Sequence, residues 1–347
     1  MNNRVIVGMS GGVDSSVTAY LLKEQGYEVI GATLIFWDNK NGGSHDAESV
    51  CDKLGIPFYT FDVRDKFKKN VIDYFVDSYV KAETPNPCVA CNRHMKWATM
   101  LEKASELGAN YIATGHYAKI THDDKTGRFS LANATSGAKD QTYVLYNLTQ
   151  EQLGRTILPL GGYDKPQVRE IAKRLDLKVA DKPESQDICF IPDGDYVNFI
   201  KNYANFEPKD GNFVDAFGNV LGHHKGIINY TIGQRKGLGI ALGKPAFVSN
   251  INADTNEVVL SDNDELYSKE IFAKNVNFVT LSEFDGKINC SAKIRYNQKP
   301  SKCTAEFKDG ILKCTFEEPQ RAATPGQALV LYLDNRVLCG GTIFKKA

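Results

Sequence analysis

Apolar and polar positions over the first 120 residues alternate between two periods. Val5, Ile6 and Val7 run into Gly8 as a short continuous apolar stretch, the pattern of a buried strand. Val17 to Leu22 keeps helical spacing until Gly26, which predicts the helix stop. Tyr27 to Trp37 (YEVIGATLIFW) reads as a second apolar strand. DAESVCDKLGIPFYTFDV predicts a helix, a Gly-Ile-Pro turn and a third strand. RHMKWATMLEKASELGANYIATGHYA predicts a long helix ending near Gly108, then a strand from Tyr111 to Thr114. Helical patterns continue over 150–180, including KPQVREIAKRLDL. Alternation of this kind predicts an α/β domain with a doubly wound parallel sheet, here over residues 1–200. Ligands of such sheets bind at the carboxyl ends of the strands. The turns after Val7, after Leu34 and at Gly115-His116 should therefore converge.

From residue 201 the texture changes to short segments rich in Gly, Asn and aromatics, which predicts a small central domain over 201–266. From 267 to 347 the chain alternates like strands separated by Asp-Gly and Pro-Gly turns, the spacing of a small β-barrel. Net charge is zero, which argues against a strongly basic coat but not against a local patch. Residues 267–347 hold 13 Lys and Arg against 8 Asp and Glu, a surplus of five, so basic charge gathers in the last third. The 42% hydrophobic content predicts a sizeable core. No stretch approaches the roughly 20 apolar residues of a membrane span, and no secretory leader pattern is expected at the start. Eight cysteines in 347 residues are too few for a disulfide scaffold. A reducing cytoplasm is the expected compartment, and paired cysteines become candidates for chemistry.

Three stretches carry that chemistry. Ser10-Gly11-Gly12-Val13-Asp14-Ser15-Ser16 lies between strand and helix, where free backbone N–H groups and a helix N-terminus suit an anion. It lacks the lysine of the usual GxxxxGK[ST] loop. ETPNPCVACNRHMKW places Cys88 and Cys91 at CxxC spacing in a proline-bounded loop, with Asn92 suited to cap the next helix. Arg93, His94 and Lys96 nearby should lower the thiol pKa. A zinc site, a redox pair and a nucleophile with a neighbour are the open readings. Zinc lacks a second ligand pair, and no metal ligand set is assigned. DKPESQDICFIPDGDY sets Cys189 in another polar loop, beside the apolar Phe190 and Ile191. Cys51, Cys290, Cys303, Cys314 and Cys339 fall within helix or strand patterns and read as core or surface filler. His116 follows a strand and a glycine. His223 and His224 lack a third ligand.

SGGVDSS resembles the PP-loop of ATP pyrophosphatases, which have an adenine nucleotide alpha hydrolase-like fold. With NPCVACN, ATGHYA, KDQTYVLY, SQDICFIP, YTIGQRKGLGI, IRYNQ and TPGQALVLY in that order, nearly the whole chain resembles the bacterial tRNA-specific 2-thiouridylases. The resemblance implies ATP, with Mg²⁺, held by Gly8, Met9, Ser10, Gly11, Gly12, Val13, Asp14 and Ser15, near Leu34 and at Gly115. It implies Cys91 as nucleophile and Cys189 as the persulfide carrier, the two closing a disulfide in turn. Asn86, Pro87 and Cys88 would frame the target base. His116, Lys139, Asp140, Gln141, Arg295, Tyr296 and Gln327 would contact tRNA bearing an unmodified wobble uridine. A persulfide-carrying protein would donate the sulfur. Many family members carry aspartate at the position of Cys88, so a second ligand scheme opens here. In it Cys88, Cys91 and Cys189 bind a [4Fe–4S] cluster.

The chemistry agrees with that role. A uracil C2 carbonyl is a poor electrophile with a poor leaving group, and adenylation of its oxygen cures both faults. Two thiols on separate loops can then deliver and release sulfur. The base must leave its stack to be reached. A PP-loop ligase or amidating enzyme acting on a small carbonyl or carboxylate would need neither Cys91 nor Cys189. A non-catalytic RNA-binding scaffold would need no intact SGGVDSS.

Overall fold

The computed structural model describes residues 3–37, 43–180 and 188–346. Its first layer is a five-stranded parallel sheet. Strand Arg4–Gly8 pairs with Glu28–Ile35 on one side and Tyr111–Ala113 on the other, and Phe58–Asp62 and Thr156–Ile157 flank those. Val5, Ile6, Val7 and Ile112 have no exposed surface, because helices cover both faces, as the uninterrupted apolar runs demand. The helix Val13–Glu24 ends as expected, with Gly26 at φ 83°.

Helical segments at 64–80 and Tyr196–Ala204 went unread in the sequence. Residues 64–80 form a continuous helical run whose Phe67, Val71, Phe75 and Tyr79 bury one face. A second difference is the start of the long helix. It begins at Pro87, passes through a wider π-type stretch at Cys91–Trp97 and ends at Glu106. The two prolines therefore place Cys88 and Cys91 on the first turns of a helix, not in an extended loop. Asn92 does not cap it. The side chain is 1% exposed inside the run and donates from Nδ2 to the Val144 carbonyl at 3.0 Å.

The helix Tyr196–Ala204 leads into a four-stranded sheet built from Gly211–Val214, Val220–His224, Phe247–Asn252 and Glu257–Ser261. Phe213, Tyr230, Val248 and Leu260 form its core. His224 is buried against Phe213 and Tyr230, a packing role.

The last six strands, Tyr267–Phe278, Lys287–Lys293, Ser301–Lys308, Ile311–Arg321, Ala328–Leu333 and Arg336–Phe344, close into a barrel. Closure is the pairing of Tyr267–Phe278 with Arg336–Phe344. Two tight hairpins turn at Asp309-Gly310 and Asp334-Asn335, all four residues at positive φ as a two-residue turn requires. Cys303, Cys314 and Cys339 face the barrel core, and Cys51 packs beneath the first sheet. A hairpin missed in the sequence, Lys119–Asp123 with Arg128–Ala132, reaches from the α/β layer and joins the barrel sheet through Ala132 opposite Arg336. Among the described residues, no helix is long and apolar enough to cross a membrane.

Candidate active site

Because Arg4–Gly8, Glu28–Ile35 and Tyr111–Ala113 are adjacent and parallel, their carboxyl ends open on one edge. Thr33 Oγ1 donates to the Met9 carbonyl at 2.7 Å and pins the turn to the second strand, and Leu34 follows directly. Within the turn, Gly11 takes φ 69°, and Gly12 starts the helix with no side-chain cap. The first-turn N–H groups are thereby left to an anion. Ser15 Oγ accepts from the Ser10 N–H at 3.2 Å and donates to the Gly12 carbonyl at 3.1 Å, so the serines brace the loop. A Cβ on Gly115 would lie 2.9 Å from Asp14 backbone and side-chain carbons. Only glycine lets the third strand end approach so closely. The expected convergence is present.

Asp14 carries partners the sequence did not reveal. Lys165 Nζ donates to both carboxylate oxygens at 2.7 Å, and the Tyr117 hydroxyl donates to Oδ1 at 2.7 Å. Lys165 is the first residue of a helix capped by an Asp164–Gln167 capping box. A cation at a helix N-terminus opposes the helix dipole, and that misplaced lysine is the signal a reading of KPQVREIAKR could have used.

The thiols gather beside this edge. Cys88 and Cys189 are exposed, whereas Cys91 is 7% exposed among Met95, Phe190 and Ile191. Burial pushes the Cys91 thiol up to about 12, against the opposing pull of the Lys96 ammonium, with Cys189 and Cys88 adding to the rise. Cys189 is also pushed up, to about 11, again against Lys96. Protein atoms packed around it strip water from the thiolate, although part of the residue's surface still meets solvent. The expected lowering of the Cys91 pKa is thus corrected. Phe190 and Ile191, about a hundred residues downstream, dry the thiol more than the neighbouring cations ionise it. Lys96 also acts on His116, whose imidazole burial holds well below its usual range. His116 Nδ1 bonds Thr114 Oγ1 at 2.8 Å, and its ring lies 5.4 Å from that of Trp97. Lys96 is therefore the shared cation of Cys91, Cys189 and His116, a place sequence proximity alone did not give it. Residues 181–187, the first part of the Cys189 loop, lie outside the described residues.

The residues expected to touch RNA are also structural ties. Gln141 brackets Tyr117, its Oε1 accepting the Tyr117 N–H while its own N–H donates to the Tyr117 carbonyl, both at 2.9 Å. Asp140 accepts from the Ala134 N–H at 3.0 Å and from Thr142 Oγ1 at 2.6 Å, and Lys139 closes the preceding short 3₁₀ turn. Arg295 Nη2 donates to the Ala322 carbonyl at 2.9 Å, to Thr324 Oγ1 at 3.2 Å and to the Ile232 carbonyl at 3.4 Å. Tyr296 is exposed beside it. Gln327 Nε2 donates to the Thr84 carbonyl at 2.8 Å and the Pro85 carbonyl at 3.3 Å. The Thr84 N–H donates in turn to the Pro325 carbonyl at 2.8 Å. A turn of the barrel thus clamps the segment that leads into Asn86, Pro87 and Cys88.

Three family models match successive parts of the chain. A tRNA methyl transferase HUP domain matches residues 3–193, a tRNA methyl transferase PRC-barrel domain 197–262, and an aminomethyltransferase β-barrel domain 268–343. The chain is 50% identical to the tRNA-specific 2-thiouridylase MnmA of Clostridioides difficile, over 100% of its own length and 99% of that protein. It is 52% identical to the protein of the same name from Lachnoclostridium phytofermentans, over 99% of each. Among solved structures, a 4-thiouridine synthetase in complex with RNA and bound ATP aligns at 19% identity and a TM-score of 0.40. That alignment covers 57% of this chain and 50% of that one.

Proposed function

The chain belongs to the tRNA-specific 2-thiouridylase family, ATP-using enzymes of tRNA uridine thiolation, and from that premise we propose how its residues divide the work. The observation that carries the reading is the meeting, at one sheet edge, of an anion-binding turn with the Cys91 and Cys189 thiols and the His116 imidazole around Lys96. ATP lies with its phosphates on the N–H groups of Gly11 to Ser15. Mg²⁺ arriving with the nucleotide would be held by Asp14, the carboxylate of the turn, and would neutralise pyrophosphate charge. Lys165, now paired with Asp14, would be free to take a phosphate oxygen wherever that carboxylate is neutralised by such an ion.

The target is the wobble uridine, framed by Asn86, Pro87 and Cys88. Its O2 attacks the α-phosphorus and pyrophosphate leaves. A persulfide donor protein passes its terminal sulfur to Cys189, giving Cys189–S–SH. The outer sulfur attacks C2, AMP departs with the former O2, and a Cys189–S–S–C2 adduct remains. Cys91 then attacks the Cys189 sulfur, closing a Cys91–Cys189 disulfide and releasing the C2 thiocarbonyl. A cellular thiol reductant restores both cysteines. The buried, protonated state of Cys91 has a use in this order of events. It keeps Cys91 from discharging the Cys189 persulfide as sulfide before a base arrives.

The cysteines do not fit an iron–sulfur cluster in this arrangement. Among the described residues, no three His, Cys, Asp or Glu side chains converge as metal ligands, and Cys91 points into an apolar cluster. No step is derived through one. The test is to incubate protein, ATP, a persulfide donor and unmodified tRNA, and to follow AMP, pyrophosphate and 2-thiouridine together. All three should appear only with tRNA present. Pyrophosphate release that ignores tRNA would favour the ligase reading instead.

A further inference from the structure

The helix that carries Cys88 and Cys91 has a second functional face. Asn86, Val89, Ala90, Arg93 and His94 recur at helical three- and four-residue spacing, opposite the Cys88, Cys91 and Met95 face. They line a cavity of about 450 Å³ that no step above uses, within the range of small-ligand sites. Its other walls come from the helical run 64–80, which gives Lys69 and Asn70, from Asn147, and from Asn275 of the barrel.

Three features define what the cavity suits. Its charged lining residues are Lys69 and Arg93, beside a His94 imidazole that burial and the Arg93 guanidinium hold towards its neutral form, and no carboxylate is among them, so it favours an anion. Four asparagine amides line it, of the kind that read base edges, and Asn86 and Asn275 offer theirs directly. Asn70 Nδ2 instead donates to the Lys66 carbonyl at 2.8 Å, and Asn147 Oδ1 accepts from Arg93 Nη1 at 2.5 Å, an amide–guanidinium pair in the wall. Asn275 is also the residue at which strand Tyr267–Phe278 bulges, with φ 54° and a register shift between Lys274 and Asn277. A bulge of this sort re-aims a side chain and is found beside functional sites. The third feature is position. Asn86 belongs both to this lining and to the segment expected to frame the target base, and Gly326, next to the clamping Gln327, lines the cavity from its place against Thr84.

We propose that this cavity holds a nucleotide flanking the target uridine in the same RNA strand, its phosphate on Lys69 and Arg93 and its base edge on the asparagine amides. The proposal rests on the RNA reading above and adds a second point of grip. While the uridine turns toward the cysteines over one side of the helix N-terminus, its neighbour is held on the other. That division explains why a barrel turn clamps residues 84–85 between the two.

The test uses anticodon stem-loop RNA, intact or abasic at either neighbour of the target uridine. With the unaltered protein, one abasic position should weaken binding about 5- to 30-fold, the cost of one lost base contact. In Asn275→Gly, which keeps the left-handed backbone, the same abasic change should cost less than 3-fold, because the contact is already gone. Lys69→Ala should reduce the salt slope of binding by about 0.7, one single-strand phosphate. ATP affinity should be unchanged in both variants, which reports that they fold. Penalties that simply add at both flanking positions, or an unchanged slope in Lys69→Ala, overturn the cavity assignment alone. Failure of the unaltered protein to bind the stem-loop overturns the RNA reading beneath it.

Discussion

Replacing Lys165 by alanine separates the roles of its pairing with Asp14. Two short bonds to a carboxylate with 33% of its side-chain surface exposed are lost. Breaking a fully buried pair costs about 3–5 kcal/mol, but this carboxylate keeps water and the Tyr117 hydroxyl, so about 1–2 kcal/mol is the expected loss. Removing a cation from a helix N-terminus returns about 0.3–1 kcal/mol. The net destabilisation is therefore near 1 kcal/mol, a fall in Tm of about 2–4 °C. The effect on chemistry is larger, because a cation aimed at a leaving pyrophosphate acts where charge develops. AMP formation should drop about 10²- to 10³-fold. Lys165→Arg, which keeps the charge, should recover much of that rate. Tm by scanning calorimetry and tRNA-dependent AMP formation are the paired readouts. A Lys165→Ala protein that melts as expected but forms AMP within threefold of the natural rate refutes the phosphate role and leaves Lys165 a structural tie.

Cys91→Ser and Cys189→Ser should each abolish 2-thiouridine by nucleoside analysis, whereas Cys88→Asp retains it; full activity in Cys189→Ser contradicts the scheme. The raised Cys91 pKa makes a signed pH prediction. The folded thiol holds its proton to about 12 while the unfolded one loses it near 8.5, so this stability is whole below about 8.5 and is lost as pH rises towards 12. Tm should consequently fall more steeply between pH 8 and 10.5 in the natural protein than in Cys91→Ser, and parallel profiles would remove the buried thiol from the account. Gln327→Ala frees the segment before Asn86 and should lower thiolation about tenfold with unchanged ATP affinity, measured by steady-state kinetics. Arg295→Ala should weaken tRNA binding and, because three protein oxygens share the guanidinium, also lower Tm; a change in the salt slope with no change in Tm would show a purely ionic role.

Local signals were legible in the sequence, and long-range ones were not. The strand, turn and helix at Val5 to Leu22 follow from apolar period and from glycines in the turn, and the barrel hairpins follow from turn residues such as Asp309-Gly310. The run Phe67, Val71, Phe75, Tyr79 carried a helical period that could have been read. The hairpin 119–132 could not be placed as easily, since its strands belong to a sheet formed two hundred residues later. Of the candidate site, the anion turn and the three cysteines were visible as residue types. The Lys165–Asp14 pairing spans 151 residues and the Gln327–Thr84 clamp 243, distances over which no local pattern carries information. Cys91 shows the same limit. Its basic neighbours in sequence argued for a thiolate, but the residues that bury it come from elsewhere in the chain.

The persulfide route is tested most directly by thiolation with protein purified without oxygen, its iron measured on the same sample. Iron-free protein charged with a persulfide donor should gain one sulfur atom on Cys189 by mass spectrometry. On adding ATP and unmodified tRNA it should yield one 2-thiouridine per AMP, with a Cys91–Cys189 disulfide left behind. Activity that appears only when about four irons accompany each chain, with no sulfur on Cys189, would contradict the route and return Cys88, Cys91 and Cys189 to a cluster.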